Sequence, residues 1–328
     1  MVTLARLAGA LCLAGLILIA IAAPAIAPYE PTTQFREHLL APPMTVHLRD
    51  GEGRWQRPFV YPLQIVDRLE RRFAEDRAHP VALHLFVNGH LASLETEAYG
   101  PWLLLGSDPL GRDLFSRLVH GARISLGVAA TAVGGALLIG MALGALAGYH
   151  GGAIDHAIMR LAEFVLLLPA LYVVLACRAM MPLALPQSAM FALLTMVLAA
   201  IGWPAVARGV RTIVATEATR EYILGARAAG AGPLRLLVHH LLPATFGFLR
   251  VQILLMVPLA IVIETTLSYA GVGFDLDHPS WGTLLQEASN VRVMGDYPWL
   301  LSPALVVFVL VLACNLALES RRRPFLRS

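Results

Sequence analysis

The chain has 328 residues, of which 57% are hydrophobic and 14% charged, against roughly 45–50% and 25% in an average soluble domain. So few charges cannot cover so much apolar surface, which excludes an ordinary soluble enzyme. The apolar residues gather instead in blocks of about 20, the length that crosses a bilayer as a helix. The formal net charge of +3 comes with no basic stripe dense enough for nucleic acid. Cys12, Cys177 and Cys314 each sit inside an apolar block, with no CxxC pair, so neither a disulfide framework nor a metal site is indicated.

In chain order, the first apolar block runs from about Leu4 to Ala27. Ala25-Ile26-Ala27 resembles the site at which a secretory signal is removed. The run is longer than a usual signal core, however, and Pro28 would directly follow the cut. Residues 1–27 are therefore read as a retained first transmembrane helix. Residues 28–120 form a polar segment. From Gln64 to Arg77 the spacing of Ile65, Leu69 and Phe73 predicts a short amphipathic helix. Val81, Leu83, Leu85 and Val87 then alternate with Ala82, His84 and Phe86 up to Asn88-Gly89, a favoured two-residue turn, which predicts a β-hairpin. His79, His84 and His90 read as solvated or half-buried side chains rather than a metal cluster. At Asp108-Pro109 an N-cap acid with proline behind it predicts a helix start. Leu110, Leu114 and Leu118 would continue it along the membrane surface, with Arg112, Asp113 and Arg117 off the apolar stripe.

Five further blocks run from about Arg123 to Tyr149, Ala157 to Met181, Gln187 to Ala207, Ala244 to Ala270 and Pro298 to Leu318. In the second span Gly140, Gly144 and Gly148 recur every four residues, the small-xxx-small spacing that lets helices approach closely. Arg160 and Glu163 are placed to pair on one helix face, and Arg178 can snorkel from the end of the third span. Glu264 is an acid at span depth. Such a residue is a pathway candidate, with a structural bond to a neighbouring helix as the plainer reading. Residues 208–243 carry Arg208, Arg211, Arg220, Arg227 and Arg235 against Glu217 and Glu221, and the tail 319–328 holds Arg321, Arg322, Arg323 and Arg327. The positive-inside rule makes both cytoplasmic, which puts both termini inside and residues 28–120 outside.

Between the fourth and fifth spans, residues 220–229 predict a short helix, Gly230 to Pro233 a turn, and the stretch beyond a second helix ended by Pro243. Ala226, Ala228 and Ala229 leave a surface with little side chain, flanked by Glu221 and Arg227. It suits docking into a groove on a cytoplasmic partner; a surface-lying loop without a partner is the equal alternative. With Gly230 and Leu242-Pro243 at the expected separations, this loop resembles the coupling loop of ABC importer permeases. Three further runs are similar to segments of the dipeptide/oligopeptide branch. They are Gly106-Ser107-Asp108 with Gly111-Arg112-Asp113, Gly148 to Gly152 with Asp155, and Glu264 to Gly273 followed by Pro279-Ser280-Trp281-Gly282.

The resemblance implies an all-α membrane protein of the type I ABC importer permease kind, with about six transmembrane helices. It would have a five-helix core at 121–318 and a small extracytoplasmic α+β insertion. It implies an inner-membrane subunit paired with a second homologous permease, two cytoplasmic ATP-binding subunits and an extracytoplasmic substrate-binding protein. Its cargo would be di- or oligopeptides, or alternatively nickel or another small solute. The residues it marks for ATPase coupling are Glu221, Leu224, Gly225, Ala226, Arg227, Ala228, Gly230 and Pro243; those before the second span are Gly106, Asp108, Gly111, Arg112 and Asp113. One departure stands out: where the family has E-A-A, this chain has Leu224-Gly225-Ala226, and the nearest acid is Glu221, one turn earlier. No GxxxxGK[ST] run occurs, so ATP hydrolysis belongs to other subunits, and no catalytic residue, cofactor or metal is expected here. The competing class, an ion-coupled secondary transporter, would want paired ionisable groups at mid-membrane in two repeated halves, and Glu264 is the single candidate.

Overall fold

A computed structural model of the chain describes residues 2–49, 54–68, 70–87, 90–94, 96, 98–182, 186–289 and 295–318. The basic tail 319–328 and the Asn88-Gly89 turn lie outside them. Among the described residues five helices are long and apolar enough to cross a membrane, and a sixth crossing results if one bent pair counts as a span. The chain divides into two compact units, one of residues 1–10, 127–264 and 311–328, the other of residues 11–126 and 265–310.

In the first unit, α3 (Leu114–His150) contributes its part from Gly127 onward. It is followed by α4 (Gly152–Leu167) and α5 (Ala170–Ala179), which meet at an angle of 81°. Pro169 explains the break: it has no N–H to donate, and it forces Leu168 into an extended conformation, ψ 117°. Next come α6 (Gln187–Glu217), α7 (Glu221–Ala228) and α8 (Pro233–Leu236). A π-helical turn (Leu237–Leu241) leads into α9 (Leu242–Tyr269). The expected second loop helix does not end at Pro243. Proline cannot donate to the carbonyl four residues back, so the chain widens for one turn, with the Leu242 N–H on the Leu237 carbonyl, and runs on. The connection is also shorter than 208–243, because α6 continues to Glu217.

Helix α6 is the centre of this unit, with half of its apolar window buried against 11% for α9. The glycine row of α3 lies against it. A Cβ at Gly140 would come 2.7 Å from the Trp203 carbonyl oxygen, one at Gly148 2.6 Å from that of Arg211, and one at Gly144 would strike Ala207. Nothing larger than hydrogen fits there. At the chain ends, α1 (Val2–Ile21) crosses α11 (Ser302–Leu318) with similar closeness: a Cβ at Gly9 would stand 2.7 Å from the Ala313 oxygen.

Among the described residues the second unit holds α2 (Ala23–Ile26) and six strands: β1 (His47–Arg49), β2 (Trp55–Val60), β3 (Leu63–Asp67), β4 (Arg72–Glu75), β5 (Val81–Val87) and β6 (His90–Leu94). They form an antiparallel sheet in the order β1-β2-β5-β6 and a separate hairpin, β3-β4. Met44, Val60, Leu63, Leu83, Trp102 and Leu103 make the core. The β5–β6 hairpin is as expected, with His84 opposite Ser93 and Val87 opposite His90.

The helix expected over 64–77 is instead the β3–β4 hairpin. Ile65 and Phe73 sit directly opposite across it, so a spacing that matches a helix face arises here from cross-strand pairing. The alternating burial of Leu63, Gln64, Ile65 and Val66 follows the same period of two. Leu69, the middle of the apolar pattern, lies outside the described residues. The surface helix expected from Asp108 is also absent: residues 108–113 turn, and α3 begins at Leu114. Among the described residues, 28–113 therefore carry strands and turns without the helix expected of an α+β insertion.

Candidate functional site

Two segments hold the residues marked by sequence. In α7, Glu221 lies in the first turn and Arg227 in the last, each with the favourable sign for the helix dipole. The helix ends in a Schellman motif. Gly230 takes φ +87°, its N–H donates to the Arg227 carbonyl, and the Ala231 N–H reaches back to the Ala226 carbonyl. Any Cβ at Gly230 would be free of neighbours, so glycine is required for its backbone angle and not for close approach within the chain. Gly225 likewise faces open space.

One side of α7 is fixed and the other is bare. Ile223 is fully buried among Val210, Val214, Leu236 and Leu241, and Ala226 packs on the same cluster. The Arg227 guanidinium lies 5.8 Å above the Tyr149 ring at the end of α3. Tyr222 donates to Glu217 at 2.8 Å. Outward stand Glu221, Gly225, Ala228 and two large apolar side chains, Tyr222 at 52% and Leu224 at 49% exposure. Of the three alanines expected to form the bare surface, Ala226 therefore turns partly inward. Pro243 lies in the first turn of α9, away from the exposed helix in sequence and in role. Behind α7, Asp155 of α4 receives two hydrogen bonds from Arg211 of α6, from Nε at 2.9 Å and from Nη2. This bidentate pair ties two helices where α6 emerges toward α7.

The segment before the second span is organised in the opposite way. Asp108, Arg112 and Arg117 are at most 1% exposed. Arg112 donates from Nε to Asp108 at 2.6 Å and from Nη2 to Glu287 at 2.7 Å. Arg117 donates from Nη1 to Asp108 and, at 2.6 Å, to Glu287. Both guanidinium groups also donate to the Leu276 carbonyl, at 3.1 and 2.9 Å. Glu287 ends α10 (Trp281–Glu287), whose start is closed by a Ser280–Thr283 capping box. Trp281 is fully buried, with Nε1 on the Leu118 carbonyl and its backbone N–H on Ser125 Oγ. Two carboxylates and two guanidinium groups thus neutralise each other out of water, and Arg117 Nε is buried there without a partner.

The glycines here are conformational and steric at once. Gly106 and Gly111 have φ +77° and +78°, and a Cβ at Gly106 would stand 2.5 Å from the Ala41 oxygen. Asp113 caps α3, its Oδ2 accepting from the Ser116 N–H at 2.8 Å. Its other oxygen is buried without a partner, and burial pushes its pKa up to about 6. Burial also raises the Glu287 pKa, against the pull of Arg117.

Glu264 is fully buried in α9 and is not without a partner. It does not line the cavity of about 300 Å³ that α3, the α4–α5 break, α6 and α9 enclose. Gln252 is the one polar side chain on that wall; Leu166, Ala170, Gly202 and Met256 are among the others. Arg160 pairs with Glu163 at 3.4 Å. Sequence reasoning missed Glu287 and the Asp155–Arg211 pair. The usable signal for Glu287 was a lone acid at the end of the short helix that Ser280 and Thr283 cap.

Residues 140–321 match the family described as binding-protein-dependent transport system inner membrane component. Residues 5–43 match the N-terminal TM domain of oligopeptide transport permease C. The di/tripeptide transport system permease protein DppC of Pseudomonas aeruginosa is 33% identical over 94% of this chain and 84% of its own length. For the dipeptide permease DppC of Haemophilus influenzae the figures are 30%, 91% and 82%. For the oligopeptide permease OppC of Bacillus subtilis they are 34%, 66% and 69%. Among solved structures, an inward-facing form of the MetNI methionine ABC transporter aligns with a TM-score of 0.46 at 19% identity, over 63% of this chain and 98% of that one.

Proposed function

The chain belongs to the family of inner membrane components of binding-protein-dependent transport systems, and we propose on that footing that it forms half of the membrane pathway of a di- and oligopeptide importer. It is a multi-pass permease of an ABC importer, a transport component that works with ATPase and substrate-binding subunits. The peptide cargo rests on the relatives, whose names specify di/tripeptides, dipeptides and oligopeptides. In this reading a second, similar permease completes the pathway, both termini are cytoplasmic, and residues 28–120 face outward. Residues 121–318 are the permease core, preceded by the helix of residues 1–27 and followed by the basic tail.

The observation that carries the mechanism is α7, anchored on one side and bare on the other. Its exposed face, with Glu221, Leu224, Gly225 and Ala228, fits into a groove of a cytoplasmic ATPase. Apolar side chains half exposed beside small residues give shape and burial to such a contact. Without the family's acid at position 224, the contact is apolar there, and Glu221 supplies the nearest negative charge. When the ATPases close, α7 moves as a body, because Ile223 is packed and Arg227 is stacked on Tyr149. The displacement passes to the end of α3 and, through Asp155–Arg211, to α4 and α6. Gly230 lets the chain reverse at the end of the lever without loosening it.

Replacing Gly230 by Trp tests the assignment in the reconstituted importer. The variant should insert normally and hydrolyse ATP while dipeptide uptake is lost, since a β-carbon at φ +87° forces the helix end to rearrange. Uptake at the normal rate by the inserted variant would defeat the coupling role.

A further inference from the structure

The segment of residues 28–105 has no part in the mechanism above, yet it contains a built recess. Between the Phe35–His38 turn, strand β3 and the stretch Ala98–Pro101 lies a cleft of about 530 Å³. A smaller cleft of about 210 Å³ shares Arg36, Glu37, Ile65 and Arg68 with it and extends to Arg71 and Phe73. The result is an elongated trough along β3. Its floor is apolar and aromatic: Leu63 and Ile65 line it, and His38 is held there by the Leu63 carbonyl at 3.3 Å and stacks on Phe73.

The charges on its rim do not cancel. Arg36, Arg68 and Arg71 face one acid, Glu37. The four other acids of the β3–β4 hairpin already have partners, Asp67 accepting from the Glu70 N–H at 3.0 Å. Glu70 pairs with Arg72 at 2.7 Å, Glu75 with Arg77 at 3.2 Å, and Asp76 accepts from His79 and Gln64 at 2.8 and 2.6 Å. Among the described residues, none of the three rim arginines has a hydrogen bond or ion pair. Arg71 in addition holds φ +50°, a backbone state that costs a non-glycine residue energy, at a hairpin turn where glycine would be free of that cost.

We infer that this trough binds an extended acidic peptide segment. Guanidinium groups match carboxylates in bidentate geometry. The length of the trough and its apolar floor favour a chain with side chains over a bare anion, which a compact nest of N–H groups would hold better. The volume falls within the range of about 300–1,000 Å³ typical of ligand clefts. The site rests on the proposed function only for the side of the membrane on which the segment is met.

The test uses the full chain in lipid nanodiscs and two probes with blocked ends, tetraglutamate and tetraglutamine. Tetraglutamate should bind roughly tenfold more tightly, as expected for three partly exposed charge pairs acting together, and the preference should fade with salt. The triple variant R36Q/R68Q/R71Q should lose it, while R57Q, which does not line the trough, should keep it. Equal binding of the two probes, or a preference that survives in the triple variant, overturns the inference. This binding is read without transport, so failure of peptide import would leave it intact.

Uptake by the reconstituted importer then identifies the source of the segment. If the triple variant loses uptake of acidic peptides alone, the segment is cargo. If it raises the amount of binding protein needed for half-maximal uptake of every peptide, the segment belongs to that protein's surface.

Discussion

Residues 106–117 and 220–230 are both short, rich in glycine and charge, and easy to recognise in the sequence, but the fold uses them in opposite ways. In the first, each marked charge is buried, and Arg112 and Arg117 join Asp108 to Glu287, a carboxylate 170 residues beyond Arg117. In the second, the marked residues mostly face outward, and the contacts that hold them come from unmarked neighbours such as Ile223 and Tyr149. A recognisable motif reports that residues are constrained, not by what. Where the constraint is internal, substitution should damage the fold; where it comes from a partner, substitution should spare the fold and damage the work.

The contrast can be broken most forcefully at Glu287. Its replacement by Ala leaves two buried guanidinium groups with one buried carboxylate, Asp108, and the exposed Asp277 at 3.8 Å from Arg112, a loss of about 3–5 kcal/mol by analogy with other broken buried pairs. Membrane abundance and unfolding temperature in detergent should both drop sharply. Wild-type values for both would show that the cluster is not held from within.

Asp113 offers a gentler probe of the same region. Its folded-state pKa of about 6 lies above the ordinary 3.8, so the folded chain holds that proton more tightly than the unfolded one. The stabilisation is full below the ordinary value and is lost as pH rises through about 6. Asparagine keeps the helix cap and cannot ionise, so D113N should flatten that decline by on the order of 3 kcal/mol at most. Melting curves of the two proteins across this range would differ in slope; parallel curves would dismiss the effect.

Smallest in stability is L224S. An exposed position should change stability by no more than about 0.5 kcal/mol, yet peptide uptake per ATP hydrolysed should fall. A drop in unfolding temperature comparable to that of E287A would erase the distinction between the two segments.

Five of the six spans, the β5–β6 hairpin and the glycine row of α3 were legible because each follows from a local period or a turn pair, whereas the third span, expected as one helix over 157–181, is broken at Pro169 into α4 and α5 at 81°. The 64–77 hairpin was not legible, since Ile65 and Phe73 satisfy helical spacing and cross-strand pairing equally well, and only the partner strand decides. Asp108-Pro109 reads as a helix start for the same local reason. Its Oδ1 accepts from the Leu110 and Arg112 N–H groups of a turn while Oδ2 meets Arg112 and Arg117, and the helix cap falls to Asp113. Coupling between α4 and α6 was hidden altogether: Asp155 and Arg211 stand 56 residues apart, and neither position says which charge the other will meet. Pro243 misleads in a further way, because a π-helical turn absorbs the missing N–H that would otherwise end a helix.

The crossing of α1 and α11 at Gly9 has a consequence in time. The surface that receives the first helix is made of residues around Ala313 and Ala317, which are synthesised long after it. At ribosomal rates of roughly 5–20 residues per second, α1 waits on the order of 15–60 s in the bilayer before its seat exists. During that interval its small-residue face is open to lipid or to other helices. The bundle can close on this helix only once the region around Ala313 has been made.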